Sequence, residues 1–157
     1  MNKSIRHLAL DILTQIHQRL NFAAPLLDNY LDTYKLSGTP DGRLLTHLVY
    51  GELRLQGHLD WIITNLYRGK FENIDEQIKN ILRLALYQLK FSDRLPDFAV
   101  VNEAVKITKN IQPDKSGLVN ALLRNYLRYG KNISFPSFEI SNVWLASPTT
   151  NPSFNTL

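Results

Sequence analysis

The chain of 157 residues has no cysteine, and that single absence removes several classes of chemistry. It excludes a disulfide framework, a thiolate-ligated metal and any mechanism that attacks through sulfur. Long apolar runs are missing too, and no signal-peptide pattern opens the chain, so a membrane span is not expected and the cytoplasm is the expected location. The seven glycines stand apart from one another rather than in the cluster that brings backbone against a nucleotide cofactor. Alternating strand patterns are absent. Four histidines, His7, His17, His47 and His58, show no HExxH-like spacing, and we read them as surface or packing residues rather than metal ligands. Charge is missing locally: residues 140–157 carry no charged side chain, two prolines and nine Ser, Thr or Asn. That stretch reads as a linker or flexible tail over residues 134–157, leaving 1–133 as one helical domain.

What is present is a hydrophobic content of 44% with 20% charged residues, ordinary for one globular domain with a buried core. The net charge of +4 is unevenly placed. Between residues 104 and 131, Lys106, Lys109, Lys115, Arg124, Arg128 and Lys131 face the single acid Asp114, a surplus of five. The rest of the chain is nearly balanced. A localised basic face is the electrostatic footprint of a nucleic-acid binder; its plainer reading is a solubilising helix surface.

Apolar residues recur with helical period along nearly the whole chain. The central run is residues 78–91, with Ile78, Ile81, Leu82, Ala85, Leu86 and Leu89 on one face. Pro96 starts the next helix, on which Phe98, Val101, Val105 and Thr108 are expected inward, with the amide of Asn102 following them into the interior. Arg83 and Glu103 are candidates for a partly buried ion pair across this hairpin. Earlier, a first helix runs from Ser4 to Arg19. A second follows, capped by Asn21, carrying Leu27, Tyr30, Leu31 and Tyr34 inward and ending at Gly38. Thr39-Pro40-Asp41 opens a third. Gly51 lies inside it, where glycine costs about 1 kcal/mol relative to alanine, so a close helix crossing is expected there. Gly57 is expected to break or kink this run, giving a new face from Leu59 onward. Asn73 with Glu76 reads as a capping box for the central helix. Asp114 or Ser116 caps the last helix, with Val119, Leu122, Leu123 and Tyr126 inward and Arg124 and Arg128 stacked one turn apart. The fold class is all-α, about six or seven helices in one bundle. Glu52 and Asp60 could be named as a carboxylate pair, but Arg54 and His58 beside them suggest a solvated helix surface, and His47 near Tyr50 reads as interior edge. No residue is assigned a catalytic role.

"ILRLALYQL" at 81–89, "AVVNEAVKITK" at 99–109 and "LVNALLR" at 118–124 resemble the RNA-binding domain shared by the antitermination factor NusB and the N-terminus of RsmB, a ribosomal RNA cytosine-C5 methyltransferase. The resemblance runs from about Ile5 to about Tyr129 and implies a NusB-like helical bundle that binds ribosomal or other structured RNA. It also implies use of the helix-one terminus, which adds Arg6; we extend the face of Lys106, Lys109, Arg124 and Arg128 by Lys3 as well. "LVYGELR" at 48–54, "YQL" and "NALLR" are closer to the methyltransferase branch. For that branch S-adenosylmethionine is implied in the full-length parent, with a catalytic domain in cis; this chain, lacking cysteine and a glycine-rich strand–helix turn, is expected to hold neither cofactor nor metal. The short chain favours a free-standing antitermination factor instead. The uncharged tail occupies a linker position, although Trp144 and Pro148 are in the wrong order for the entry into a catalytic region. A helical adaptor for an acidic protein is the reading without RNA.

Overall fold

Residues 80–89 form an unbroken buried run, and the rest of the molecule is arranged about them. The computed structural model describes residues 3–19 and 21–130. These form six α-helices: α1 (Ile5–Arg19), α2 (Ala23–Thr33), α3 (Pro40–Leu66), α4 (Glu76–Phe91), α5 (Asp97–Ile111) and α6 (Ser116–Arg128). Single 3-10 turns at Phe71–Asn73 and Pro113–Lys115 lead into α4 and α6. Among the described residues there is no strand, and no helix is long and apolar enough to cross a membrane. The helix α4 packs against α1, α3, α5 and α6. A helix enclosed on every side must bury its polar residues as well, and Asn80, Arg83 and Gln88 are all buried.

The helix α3 starts as its sequence demands. Thr39 Oγ1 accepts a hydrogen bond from the Gly42 amide at 3.0 Å, Pro40 takes the first helical position and Asp41 lies in the first turn. Gly57 does not interrupt it: α3 runs on to Leu66. Leu45, Leu48, Val49, Glu52, Leu59, Ile62 and Ile63 are buried along the whole length. The seven-residue steps from Leu45 to Glu52 to Leu59 show a single stripe rather than a new face, and packing along it outweighs the weak propensity of one glycine. Gly51 marks the close crossing. A Cβ there would overlap the ring of Tyr87 on α4, which is 1% exposed and hydrogen-bonded through its hydroxyl to His47 Nε2 at 2.9 Å.

Several expected boundaries move. The cap of α4 is Asp75, which accepts from the Gln77 amide at 2.9 Å, while Asn73 belongs to the preceding 3-10 turn. Phe22, not Asn21, precedes α2, and that helix ends at Thr33 rather than at Gly38. Lys35 then takes a left-handed conformation, with φ 57°, and Gly38 turns the chain into α3 with φ 75°. On α2 only Leu27 is buried. Tyr30 is held by Gln15 at 2.8 Å, and the half-exposed Tyr34 stacks on Tyr30. Neither Asp114 nor Ser116 provides a side-chain cap for α6; the Ser116 hydroxyl donates to the Pro113 carbonyl at 2.9 Å.

The largest departure is on α5. Its buried residues are Val100, Val101, Ala104, Ile107 and Thr108, whereas Asn102 and Phe98 are exposed and Val105 is half-buried. Packed between α4 and α6, the helix turns its broadest apolar face inward, with the small Ala104 at its centre. The Asn102 amide is thereby left in water, where it needs no internal partner. Arg83 and Glu103 do not meet. Arg83 reaches back to α3 and to the start of its own helix, while Glu103 faces α1.

Candidate nucleic-acid interface

The α5–α6 hairpin displays the cations that the sequence concentrates. On α6, Val119, Leu122, Leu123 and Tyr126 are buried, which turns Arg124 and Arg128 outward on adjacent turns of the opposite face. On α5 the same logic exposes Lys106 and Lys109 opposite Val100 and Ala104. The helices run antiparallel. Tyr126, near the end of α6, has its hydroxyl pKa raised by burial and by the charge of Asp97 at the start of α5. Arg124 Nε donates to the neutral Asn120 side chain at 3.1 Å, and the Arg128 guanidinium lies 5.7 Å from the ring centre of Tyr129. None of these four cations has a carboxylate partner within salt-bridge distance among the described residues. The expected Lys131 lies outside the described residues, as does the proposed boundary at 133 and the tail beyond it.

The two cations on α1 are held differently. Lys3 Nζ sits 2.6 Å from Asp11, and that hydrogen bond raises its pKa. Arg6 is half-buried: its Nε donates to Gln88 Oε1 on α4 at 2.5 Å, and Nη1 lies 4.0 Å from Glu103 on α5. Arg6, Gln88 and Glu103 line a narrow cleft between α1, α4 and α5 together with Leu10, Ala85 and Val100. Arg6 thus links α1 to the hairpin at α5. Gln88 has a role that sequence reasoning missed, because an amide inside a helical apolar run gives no sign of its partner.

A second charged region lies inside the bundle. Arg83 makes a two-pronged contact with Asp60, at 2.6 and 3.0 Å, and bonds Glu76 and Asn80, each at 2.9 Å. Burial works against the guanidinium charge, but the hydrogen bond to Asp60 and the nearby carboxylates outweigh it, so its pKa is raised. Burial is the larger influence on Asp60, whose pKa is raised in spite of Arg83. Glu52 is fully enclosed, not on a solvated surface; His17 Nε2 lies 3.6 Å from its Oε1, and neither carboxylate oxygen has a hydrogen-bond partner among the described residues. Gly51 thus lies against Tyr87, Arg83 pairs with Asp60 and Glu76 rather than with Glu103, Asn102 is exposed, and Glu103 faces Arg6. At the far end of α4, Lys90 Nζ is 2.7 Å from His58 Nε2. Burial and the Lys90 charge push the imidazole down to about 4, so it is neutral near pH 7. Among the described residues no group of three or more His, Cys, Asp and Glu is placed to hold a metal ion.

A helical bundle built on one enclosed helix, with a cationic hairpin at its side, makes this an all-α domain. The sequence profile of the NusB family matches residues 3–128, and the chain belongs to that family. It is 38% identical over 134 residues to the probable ribosomal RNA small subunit methyltransferase B of Synechocystis sp., an alignment covering 83% of this chain and 30% of that protein. It is 31% identical over 125 residues to the transcription antitermination protein NusB of Bacillus velezensis, covering 78% of this chain and 92% of that one. Among solved structures, NusB of T. maritima superposes with a TM-score of 0.68 at 22% identity, covering 90% of this chain and 99% of that one, which is a likeness of fold. The chain spans about a third of the length of the methyltransferases it matches.

Proposed function

We propose that this chain is the RNA-recognition domain of a ribosomal RNA methyltransferase of the B type and acts in the cytoplasm. The observation that carries RNA binding is the set of four exposed cations, Lys106, Lys109, Arg124 and Arg128, on neighbouring helices and without carboxylate partners among the described residues. Unpaired surface cations on a rigid scaffold are what phosphate neutralisation requires, since an internal ion pair would have to be broken first. Arg6 extends the face towards α1 beside Glu103, and Lys3 contributes after release from Asp11. The higher identity to the methyltransferase relative supports that branch. In this reading catalysis and S-adenosylmethionine belong to a further domain in cis. The described residues do not fit that cofactor, because they contain no strand and their glycines form no cradle.

The test is RNA binding to a ribosomal RNA fragment at several salt concentrations. Arg124→Glu with Arg128→Glu is expected to weaken binding strongly and to flatten the salt dependence, by about 0.7–0.9 for each phosphate no longer neutralised, with unchanged thermal stability. Equal affinity and slope in variant and parent would move the site elsewhere. No binding by either would favour a protein adaptor. A free-standing antitermination factor is the second reading, favoured by the near-complete coverage of the B. velezensis protein. The coding frame downstream of Leu157 separates the two: continuation into a strand–helix cofactor domain supports the methyltransferase, and a stop codon supports the factor.

A further inference from the structure

The two α5 residues that the sequence placed inside, Phe98 and Asn102, stand instead on the solvent stripe that carries Lys106. Phe98, Asn102 and Lys106 follow one another at four-residue steps and, with Ala99 and Glu103, line an open surface depression. Phe98 is 56% exposed. One exposed phenylalanine is ordinary on a protein surface and explains nothing by itself. A second aromatic lies at the same end of the hairpin. Tyr129 is 61% exposed and packed beside the Arg128 guanidinium, and it follows Tyr126, which feels the charge of Asp97, the neighbour of Phe98. Phe98 thus shares its depression with Lys106, and Tyr129 stands beside Arg128. Neither ring is among the buried residues of the core, so folding gives no account of their exposure.

Resting on the RNA-binding reading above, we propose that Phe98 and Tyr129 are base-stacking platforms for single-stranded RNA, with Asn102 positioned to hydrogen-bond a base edge. The chemistry is complementary in both halves. Unpaired bases offer flat faces that rings accept irrespective of sequence, and the cations beside them meet the phosphates of the same strand. An amide offers one donor group and one acceptor, the pairing that an adenine edge matches with two hydrogen bonds. Arg128 over Tyr129 prepares that ring by holding it in place while keeping its own charge in solvent. A fully paired helix would not engage these rings, because its bases are already stacked on one another. The occupant is thus a loop, bulge or single-stranded end.

The experiment uses the full chain and three probes of about ten nucleotides, a length within the site sizes of single-strand binders: oligo-A, oligo-U and an abasic ribose-phosphate oligomer. Phe98→Ala and Tyr129→Ala are each expected to weaken oligo-A binding roughly tenfold, leaving the salt slope unchanged because every phosphate remains neutralised. The abasic probe should bind both variants as it binds the parent. Phe98→Trp should restore affinity, and Asn102→Leu should narrow the preference for oligo-A over oligo-U. Melting temperatures equal to that of the parent establish that the effects are local. Unchanged oligo-A binding by both alanine variants, with binding strongly weakened in Arg124→Glu/Arg128→Glu, would overturn the stacking assignment alone. Weakening of base-bearing and abasic probes by equal factors would also overturn it. If the parent binds none of the probes at low salt, the RNA reading and the stacking assignment fall together. A requirement for Phe98 in self-association, with RNA binding intact, would reassign the patch to a protein interface.

Discussion

The α3–α4 crossing and the α5–α6 hairpin are both rich in charge, and they use it in opposite ways. At the crossing, the Arg83 cation is enclosed and matched by Asp60, Glu76 and Asn80, so its charge is spent on fixing the angle of two helices. On the hairpin, Lys106, Lys109, Arg124 and Arg128 are exposed and have no carboxylate partner among the described residues, so their charge remains available to a ligand. Arg6 lies between these extremes, half-buried and shared between Gln88 and Glu103. A count of basic residues treats all six alike. Among the described residues the fold gives Arg83 two carboxylates, Arg6 one at the limit of an ion pair, and the four hairpin cations none.

That contrast predicts a graded series of effects. The largest is at the crossing: Arg83→Met leaves the part-exposed Asp60 and Glu76 carboxylates without their cation and should reduce stability by about 3 kcal/mol, read from denaturant midpoints. A reduction below about 1 kcal/mol would place Asp60 and Glu76 in solvent. Next is Gly51→Leu, which overpacks the crossing against Tyr87 and should cost roughly 1–3 kcal/mol despite the better helix propensity. Combining Gly51→Ala with Tyr87→Leu should cost less than the sum of the single changes, and strict additivity would remove Tyr87 as the obstacle.

Smaller, and dependent on pH, is the effect at His58. Its folded pKa of about 4 lies below its ordinary value of 6.5, so between these values the unfolded chain binds more protons. The stability contributed by the neutral imidazole is present above pH 6.5 and disappears as the pH falls through 4. His58→Gln should therefore melt with a flatter pH dependence over that window than the parent, and parallel curves would show that another group carries the acid sensitivity. Smallest is Lys106→Ala with Lys109→Ala. Stability should change by no more than about 0.5 kcal/mol, while the salt slope of single-strand RNA binding falls by about 0.7 for each phosphate left without its cation.

The sequence is most informative where period and packing agree. The buried sides of α4 and α6 follow from apolar spacing, the start of α3 from Thr39-Pro40-Asp41, and the crossing from a glycine where a helix would prefer any other residue. It is least informative about rotation and partnership. Phe98 and Val105 suggested one inward face for α5, but the helix must satisfy α4 and α6 together, and the tertiary demand set a different rotation. Glu52 looked solvated because its sequence neighbours are charged, yet it falls on the seven-residue step between Leu45 and Leu59 and is enclosed. The choice of Asp60 and Glu76 over Glu103 as partners of Arg83 depends on the relative placement of three helices, and no local pattern encodes it. For the candidate interface, the exposed cationic face of the hairpin was legible from charge density and helical spacing, whereas the bonds that hold Lys3 and Arg6 were not.

The ten-residue buried run of α4 has a consequence in deuterated water. An ordinary amphipathic helix frays or lifts its wet side, and its amide hydrogens are replaced by deuterium over a range of rates. Residues 80–89 have no wet side. Helices α1, α3, α5 and α6 would have to leave before solvent reached those amides, so they should exchange as a group, at the slowest rate in the molecule. Their common protection factor would then report the free energy of global unfolding directly, without a denaturant.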